Sequence, residues 1–390
     1  MVEKALRGSR AYWGWLLFLL AVSVTGLGFY LWQAATGTEA SGLSRDVPWG
    51  FFIANYTFMV GVAASAVVVV IPYYLHSQRE FGRMIALGEF LAVAAVLTTL
   101  LFIMADLGQP GRMFNILLYP TPNSPFFWNT IVLPGYLLLN LVIAWFTLDA
   151  ERHDVPVPGW VKLLILVSIP WAISIHTLTS FVYSGLVARP FWNSAILTPR
   201  FLASAFASGP ALLVILALVV RRYTGYDPGS RAIEKVALIV TYAATANLFL
   251  VLVEIFAVVY SNVAGHMEHF EYMFFGLEGR GQLVPWMWLS VIVAVVSVAL
   301  LIVPRTRRNE KTLLAACAGV FFSTWIDKGL CLVVGGFVPS TLGRITEYLP
   351  TVQEWVIAGA IYAAAGMLLT LLYKVAIGVR LEEEEVQECR

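Results

Sequence analysis

The sequence is poor in charged residues. They make up 13% of the 390 residues, whereas hydrophobic residues make up 59% and the mean hydropathy is +0.78. A soluble domain carries about 25% charged residues, so this chain cannot cover a surface that faces water on all sides. The net charge of +1 gives no indication of a nucleic-acid partner.

Metal-binding and haem-binding patterns are also lacking. Cys317, Cys331 and Cys389 lie far apart and form no C-x-x-C pair, so neither a zinc site nor an iron–sulfur cluster is predicted. Of the five histidines only His176 lies well inside an apolar run, whereas a membrane cytochrome b needs paired axial imidazoles on facing helices. We therefore expect no metal, haem or iron–sulfur cluster in this chain.

Long apolar runs dominate the sequence instead. A helix that crosses the bilayer core needs about 20 predominantly apolar residues. Runs of this kind predict spans near 11–33, 50–75, 84–106, 126–148, 160–187, 201–220, 235–260, 284–303, 313–337 and 352–377. The first run is too long for a signal peptide and is interpreted as a retained helix. We expect an all-α, multi-pass integral membrane protein, with residues 1–390 forming a single transmembrane domain.

The positive charges predict the orientation of the helices. Eighteen of the 25 Lys and Arg residues lie on the N-terminal side of the membrane, six on the opposite side, and Lys328 within a span. Since cytoplasmic loops carry the excess of Lys and Arg, both termini are expected in the cytoplasm and the protein in the cytoplasmic membrane. The outer loops 107–126 and 262–285 are long enough to dock an extracytoplasmic partner.

Six ionisable residues within the predicted spans are singled out, because such groups are costly in lipid and usually functional. They are Glu89 and Asp106 in the third helix, His176 in the fifth, Glu254 in the seventh, and Asp327 and Lys328 in the ninth. With a rise of about 1.5 Å per residue, all of them except Glu89 project onto the outer half of the membrane or its middle.

A polar stripe on the fifth helix is the most regular of these features. His176, Ser180 and Tyr183 are spaced i, i+4 and i+7, which places them on one helix face. Such a face either lines a site for a ligand with one or two carbonyl groups or bonds a neighbouring helix. The sequence alone leaves both interpretations open.

Several segments resemble the NrfD/PsrC family, the polysulfide-reductase-type membrane subunits. The segments that carry the resemblance are DVPWGFFIAN (46–55), DLGQPGR (106–112), SPFFW (124–128), the stretch from His176 through ARPFW (188–192) to Gly209, and EYLPTVQE (347–354). The last of these is similar to the ten-helix, HybB/DsrP-like branch. That branch includes membrane subunits of quinone-reactive hydrogenases and of the sulfite-reduction-associated DsrMKJOP complex, and a DsrP-type subunit is the specific expectation.

The resemblance implies two four-helix bundles, helices two to five and six to nine, with one flanking helix at each end. It implies a subunit that exchanges electrons between the menaquinone (or other quinone) pool and a ferredoxin-like iron–sulfur subunit on the outer face. Cytochrome c and further membrane subunits are additional expected partners. The context would be sulfite or sulfate metabolism, and the subunit would carry no haem or cluster of its own.

We assign roles to the buried polar residues on this basis. His176 and Tyr183 are the predicted partners of the quinone head group, with Ser180 and Asn55 as further contacts and Asp106 as a proton-exchanging group. A path for protons would use Glu89, Glu254, Asp327 and Lys328. Two alternatives remain: a secondary transporter or ion-conducting protein, although no internal repeat is evident, and a purely structural membrane anchor, which leaves the buried ionisable groups unexplained.

Overall fold

The computed structural model describes residues 2–37, 41–153 and 155–388. Ten helices in these ranges are long and apolar enough to cross a membrane, and no β-strand occurs in them. They are α1 (Arg10–Thr36), α2 (Phe51–Leu75), α3 (Arg79–Asp106), α4 (Pro125–Arg152), α5 (Gly159–Ser184), α6 (Leu197–Thr224), α7 (Ser230–Ser261), α8 (Val284–Ile302), α9 (Glu310–Gly335) and α10 (Val352–Glu388). The predicted all-helical fold with ten spans is confirmed.

The helix ends differ from the predicted bounds mainly where helices continue past the apolar run. The helix α6 begins at Leu197 rather than at 201, α7 at Ser230 rather than at 235, and α10 continues to Glu388 rather than to 377. A hydropathy pattern finds only the segment that lies in hydrocarbon, whereas a helix continues until a cap or turn ends it. At the start of α9, for example, the Asn309 side chain accepts a hydrogen bond from the backbone of Lys311.

Two of the spanning helices are not regular α-helices throughout. In α2, a turn at Ala63 and Ala64 separates the segments Phe51–Val62 and Ser65–Leu75. The helix α6 packs closely against this turn at Gly209, where a Cβ atom would lie 2.9 Å from the Val62 carbonyl oxygen. In α9, residues Trp325–Cys331 form a π-helix. Such segments are rare and are frequent at functional sites.

The contacts between helices fall into two groups of four. In one, α2 packs on α3 and α5, and α4 packs on both α3 and α5; in the other, α6 packs on α7 and α9, and α8 packs on both α7 and α9. The groups meet where α2 contacts α6 and α9, while α1 and α10 pack on each other and α10 lies against α3. These pairings support the two bundles that the resemblance implies. The orientation of the termini remains a prediction, and the outer side is the side of the membrane opposite the predicted cytoplasmic termini.

The helices are unequally exposed. Within the apolar windows of α2 and α3, 72% of residues are buried, compared with 17% in α1 and 22% in α10. The helices α1 and α10 approach closely at Gly26, where a Cβ atom would clash with the Cβ of Ala360, as is usual for small residues between membrane helices. Most of the surface of α1 and α10 is therefore left to face lipid.

The outer loops contain short helices. The segments Asn115–Leu118 and Ala264–Phe274 lie in the two loops predicted to dock a partner. The second is fixed by His269, whose Nδ1 lies 2.9 Å from the Gly335 carbonyl oxygen and 2.8 Å from that of Val338. Burial lowers the pKa of His269, so the neutral imidazole is favoured in the folded protein.

Candidate functional site

The polar stripe of α5 faces the interior, as its spacing predicts. His176, Ser180 and Tyr183 are each at most 1% exposed. The Tyr183 hydroxyl hydrogen-bonds the Thr57 hydroxyl of α2, and the Ser180 hydroxyl lies 2.6 Å from that of Thr198 in α6. The stripe thus meets both bundles at the place where they adjoin.

His176 differs from its two neighbours on the stripe. Neither of its ring nitrogens has a hydrogen-bond partner among the described residues, although the side chain is 1% exposed. Buried polar side chains are nearly always hydrogen-bonded, to protein or to water. The His176 imidazole therefore has a free donor and a free acceptor inside the membrane, which a ligand carbonyl, a ligand hydroxyl or water would satisfy.

Aromatic rings cover the outer end of the stripe. The Tyr183 ring lies 5.6 Å from that of Trp49 and 5.1 Å from that of Trp192, at distances typical of edge-to-face pairs. Trp192 is fixed by a 2.8 Å hydrogen bond from its indole nitrogen to the Leu332 carbonyl. Trp49 belongs to the DVPWG segment and Trp192 to the ARPFW segment, so the segments that carry the family resemblance build this shell.

Asn55 lies on a different side of α2. Its Oδ1 accepts hydrogen bonds from the Trp325 indole (2.9 Å) and the Tyr362 hydroxyl (2.7 Å), and its Nδ2 donates to the Phe51 carbonyl (2.7 Å). The side chain thus faces α9 and α10, whereas Thr57, two residues on, faces α5. The structure does not bring Asn55 together with His176 and Tyr183.

Asp106 comes from a different helix than the stripe. It ends α3, and its Oδ1 is buried without a hydrogen-bond partner among the described residues. The preceding carbonyl, of Ala105, accepts a 3.3 Å hydrogen bond from Gln33 of α1. The carboxyl group therefore lies at the predicted outer end of its span, near the flanking helix α1.

A charged cluster, formed by Arg200, Glu254 and Asp327, lies in the second bundle. The Arg200 guanidinium is 2.5 Å from a carboxylate oxygen of Glu254 in α7 and 2.5 Å from one of Asp327 in α9. All three residues are less than 9% exposed. Charge-assisted hydrogen bonds of this kind are the strong ones, and here they join three helices.

The position of Arg200 in the sequence predicts an outer loop, because the predicted sixth span begins at 201, and this prediction is wrong. The helix begins at Leu197 and carries the arginine into the bundle. Two intramembrane carboxylates without a matching cation, Glu254 and Asp327, were the signal that could have found it, since buried charges are paired or neutralised.

Lys328 forms no direct ion pair with its neighbour Asp327, which pairs with Arg200 instead. Its Nζ donates a 3.3 Å hydrogen bond to the Phe201 carbonyl and lies 4.4 Å from the centre of the Phe201 ring. A Cβ atom on Gly61 of α2 would lie 3.2 Å from this Nζ, so the ammonium group lies at the boundary between the two bundles. The π-helix in α9 contains both residues and directs them to different partners.

Glu89 lies apart from the other predicted proton-path residues. It is 1% exposed in α3, and neither carboxylate oxygen has a hydrogen-bond partner among the described residues. The four predicted proton-path residues thus fall into two places: Glu89 in the first bundle, and Glu254, Asp327 and Lys328 around Arg200 in the second. No group of three or more His, Cys, Asp or Glu in the described ranges could hold a metal ion.

Comparison with known proteins gives the family. The family model described as "Polysulphide reductase, NrfD" matches residues 39–326, more than half of the chain. A membrane subunit of a putative dimethyl sulfoxide reductase of Halobacterium salinarum is 25% identical, over 94% of this chain and 88% of its own length. The Hdr-like menaquinol oxidoreductase integral membrane subunit of Archaeoglobus fulgidus is 24% identical, over 99% of both chains.

A third relative, a subunit of the selenate reductase of Mesobacillus selenatarsenatis, is 23% identical over 89% of each chain. The similarity therefore covers all ten spans and is not confined to the short segments around Trp49 and Trp192. This multi-pass integral membrane protein belongs to the NrfD family of quinone-interacting membrane subunits of reductase complexes.

Proposed function

We propose that this chain exchanges electrons between a membrane quinone, menaquinone in the first instance, and an iron–sulfur subunit on its outer face. Family membership supports the quinone, and the relative named a menaquinol oxidoreductase subunit supports its type. The partner proposed is a ferredoxin-like subunit, with cytochrome c and further membrane subunits as additional components. The resemblance to DsrP-type subunits supports a role in sulfite or sulfate metabolism.

The observation that carries the proposal is the unsatisfied imidazole of His176. Interconversion of a quinone and its quinol takes up or releases two electrons and two protons, so the protein must bind two ring oxygens and handle their protons. His176 offers one free donor and one free acceptor in a span. Tyr183, two helical turns outward, offers a hydroxyl that Thr57 orients.

These two groups have a suitable separation. Seven residues of helix correspond to about 10 Å along the axis, enough for a ring with oxygens at opposite ends to lie between two hydrogen-bonding groups. Ser180 lies between them on the same face and shares a 2.6 Å hydrogen bond with Thr198. In this proposal, His176 and Tyr183 bind the two ring oxygens, and Ser180 holds α6 against the site.

Protons would reach or leave the site through the buried acids. Asp106 is proposed as the group that exchanges protons at the outer end, because it has an unpartnered oxygen there. Glu89 is proposed as the inner group for the same reason. Glu254, Asp327 and Lys328 are proposed as a charged relay around Arg200.

The test is quinol oxidation by the intact complex carrying His176→Ala. The variant loses the proposed hydrogen bond between the imidazole and a quinone ring oxygen, together with the proton acceptor on that ring, and turnover is expected to fall by at least about tenfold. Thr177→Ala, the adjacent residue of α5 outside the stripe, is the matched control and is expected to leave turnover unchanged. Unchanged turnover and quinone affinity in His176→Ala would remove His176 from the site.

The same preparation tests the transporter alternative. If the protein purifies with an iron–sulfur subunit, the electron-exchange function is supported. If it purifies alone and moves a solute across liposome membranes, the proposed function is wrong and the alternative takes its place.

A further inference from the structure

Lys328 has a buried ammonium group with few partners. The residue is 3% exposed, and its Nζ donates one hydrogen bond, of 3.3 Å, to the Phe201 carbonyl. Another side of the group faces the Phe201 ring, whose centre lies 4.4 Å away. An ammonium group has three N–H donors, so at least one of them has no acceptor among the described residues. Because a buried donor without an acceptor is costly, this N–H group indicates a ligand or a water molecule.

The charge of Lys328 is balanced at a distance. The Arg200 cluster contains two carboxylates and one guanidinium group, so a second cation offsets its remaining negative charge. Lys328 supplies that cation, although within the described ranges both acids pair with Arg200 and neither pairs with the lysine. The N–H donors of the ammonium group are therefore left for a partner other than the cluster.

The backbone of α9 directs Lys328 toward α2. The residue lies in the π-helix Trp325–Cys331, and a Cβ atom on Gly61 of α2 would lie 3.2 Å from its Nζ. Thr57, four residues before Gly61 and on the same face of α2, hydrogen-bonds Tyr183 of the α5 stripe. Lys328 therefore meets the face of α2 that also meets the stripe.

Lys328 also lies at the depth of the two proposed quinone contacts. Gly61 is about 6 Å inward of Thr57 along α2, and His176 is about 10 Å inward of Tyr183 along α5. Since Thr57 and Tyr183 are in contact, the Lys328 Nζ beside Gly61 falls between Tyr183 and His176 in depth. The Lys328 charge and the His176 imidazole are within electrostatic range of each other. Two buried groups with free hydrogen-bonding capacity thus approach the same boundary from opposite bundles.

This location restricts the ligand. His176 is about 12 Å inward of Ser184, the outer end of α5, whereas phospholipid head groups remain at the membrane surface. An acyl chain reaches this depth but has no oxygen that could accept a hydrogen bond there. A ligand that uses both groups has an oxygen that accepts a hydrogen bond and is stabilised by a positive charge. The ring oxygens of the quinone in the proposed function have both properties.

We infer that Lys328 is a catalytic residue of the quinone site, which donates a hydrogen bond to the ring oxygen that His176 binds and stabilises negative charge on it. The identity of the ligand rests on the proposed function, whereas the free N–H group and its position do not. The site then contains residues of both bundles, with His176 and Tyr183 from the first and Lys328 from the second. Lys328 is the member of the charged relay that touches the ligand.

Lys328 and His176 have different chemical roles in this site. Reduction of the ring to the quinol takes two electrons from the iron–sulfur partner and two protons, one for each ring oxygen, and oxidation is the reverse. An electron that precedes its proton places negative charge on the ring oxygens. Lys328 stabilises that charge with its own, and the low dielectric of a span makes the effect strong. His176 exchanges the proton, because a neutral imidazole has one donor and one acceptor.

The experiment measures the binding of two ligands with the same ring to the intact complex in lipid nanodiscs. One is an alkylated hydroxynaphthoquinone, which is ionised at neutral pH, and the other is its methyl ether, which is uncharged. Lys328→Met is expected to weaken binding of the ionised ligand at least about tenfold and that of the ether less than about threefold, because only the ionised ring oxygen forms a charge-assisted hydrogen bond with the ammonium group. Quenching of tryptophan fluorescence gives both dissociation constants.

Two further variants separate contact with the ligand from charge balance and folding. Lys374→Met makes the same substitution at an exposed lysine, 5.8 Å from the Tyr12 ring, and should change neither dissociation constant. Lys328→Met combined with Glu254→Gln removes one buried charge of each sign, which also supports folding if the single variant is unstable. The preference for the ionised ligand should stay lost in this double variant. If the preference returns, charge balance and not contact explains it, and the inference is wrong.

The outcomes separate this inference from the proposed function. His176→Ala removes a hydrogen bond that both ligands use and should weaken the binding of both. If it does so while Lys328→Met weakens both ligands equally, or neither, Lys328 does not contact the ring and the proposed function stands. If the unaltered protein binds neither ligand, the proposed function is wrong and this inference is wrong with it.

Discussion

The two bundles differ in whether their buried ionisable groups have partners. In the second bundle Arg200 holds Glu254 and Asp327 at 2.5 Å each, so each of these three charges has a partner. In the first bundle Glu89 and His176 have no hydrogen-bond partner among the described residues, although each is 1% exposed. The same chain therefore contains a closed ionic cluster and open polar positions at similar burial.

This difference indicates different roles. Removing a charge from water costs several kcal/mol, which is offset only by excellent geometry with an opposite charge. The Arg200 cluster meets that condition and joins three helices, so its first role is structural. An unpartnered imidazole or carboxyl is tolerated where it binds a ligand, a water molecule or a proton, and Glu89 and His176 are the positions that fit this description.

Breaking the closed cluster should have the largest effect on stability. Arg200→Met leaves two buried carboxylates without a cation and is expected to lower the free energy of unfolding by about 3–5 kcal/mol. Thermal unfolding of the purified complex in detergent measures it, with Arg112→Met at an exposed loop arginine as the control. If Arg200→Met unfolds at the same temperature as the parent, the two acids do not depend on the guanidinium.

Removing the charges of the two acids as well sharpens the same test. When Arg200→Met is combined with Glu254→Gln and Asp327→Asn, no uncompensated charge remains in the cluster, and most of the lost stability is expected to return. A triple variant as unstable as the single one would mean that the hydrogen bonds, and not the balance of charge, hold α6, α7 and α9 together.

An open position should tolerate loss of its charge. Glu89→Met removes a carboxyl that makes no hydrogen bond to the described residues and retains a similar volume, so the free energy of unfolding is expected to fall by less than about 1 kcal/mol or to rise. Turnover should fall in Glu89→Met and be retained better in Glu89→Asp if the group carries protons. A loss of stability as large as that of Arg200→Met would show that Glu89 has a partner in the folded complex.

The buried residue His269, which lies outside the spans, makes the stability of the protein depend on pH. Nδ1 of His269 contacts two carbonyls, and burial, with Arg189 and His266 nearby, lowers its pKa. The unfolded chain, with a histidine pKa of about 6.5, then binds more protons than the folded protein as the pH falls below that value. The contribution of His269 to stability should therefore be fully present above about pH 6.5 and decrease below it.

The measurement is the unfolding temperature at a pH about one unit above 6.5 and at a pH about one unit below it. His269→Asn should reduce the difference between the two temperatures, whereas His76→Asn, at an exposed histidine, should leave it unchanged. An equal pH dependence in His269→Asn and in the parent would assign the effect to other groups.

The sequence predicted the membrane architecture because hydrocarbon imposes it. A span needs a long apolar run, and the ten runs differ from the ten helices only at their ends, as at Ser230 and Leu197. The helical period also predicted correctly that His176, Ser180 and Tyr183 share one face, because all three residues belong to the same helix, α5. Both predictions depend on local geometry.

The site was less predictable because it depends on which helices adjoin. Depth along a span can be counted in residues, but the direction in which Asn55 points cannot, and the structure turns it toward Trp325 and Tyr362. Arg200 was missed because the first turn of α6 lies beyond the apolar run.

The smallest effect on stability should come from breaking a solvent-exposed ion pair that, like the Arg200 cluster, joins an arginine to a carboxylate. Arg308 lies 2.7 Å from Glu234, with side chains 69% and 41% exposed, and such pairs contribute little because solvent and salt screen them. Arg308→Met, the same substitution as at Arg200, should leave the unfolding temperature unchanged at low and at high salt. If both substitutions destabilise equally, burial is not the reason that the Arg200 cluster matters. If only Arg200→Met does, the contrast between closed and exposed pairs stands, because Arg200 differs from Arg308 in its burial and in contacting two carboxylates instead of one.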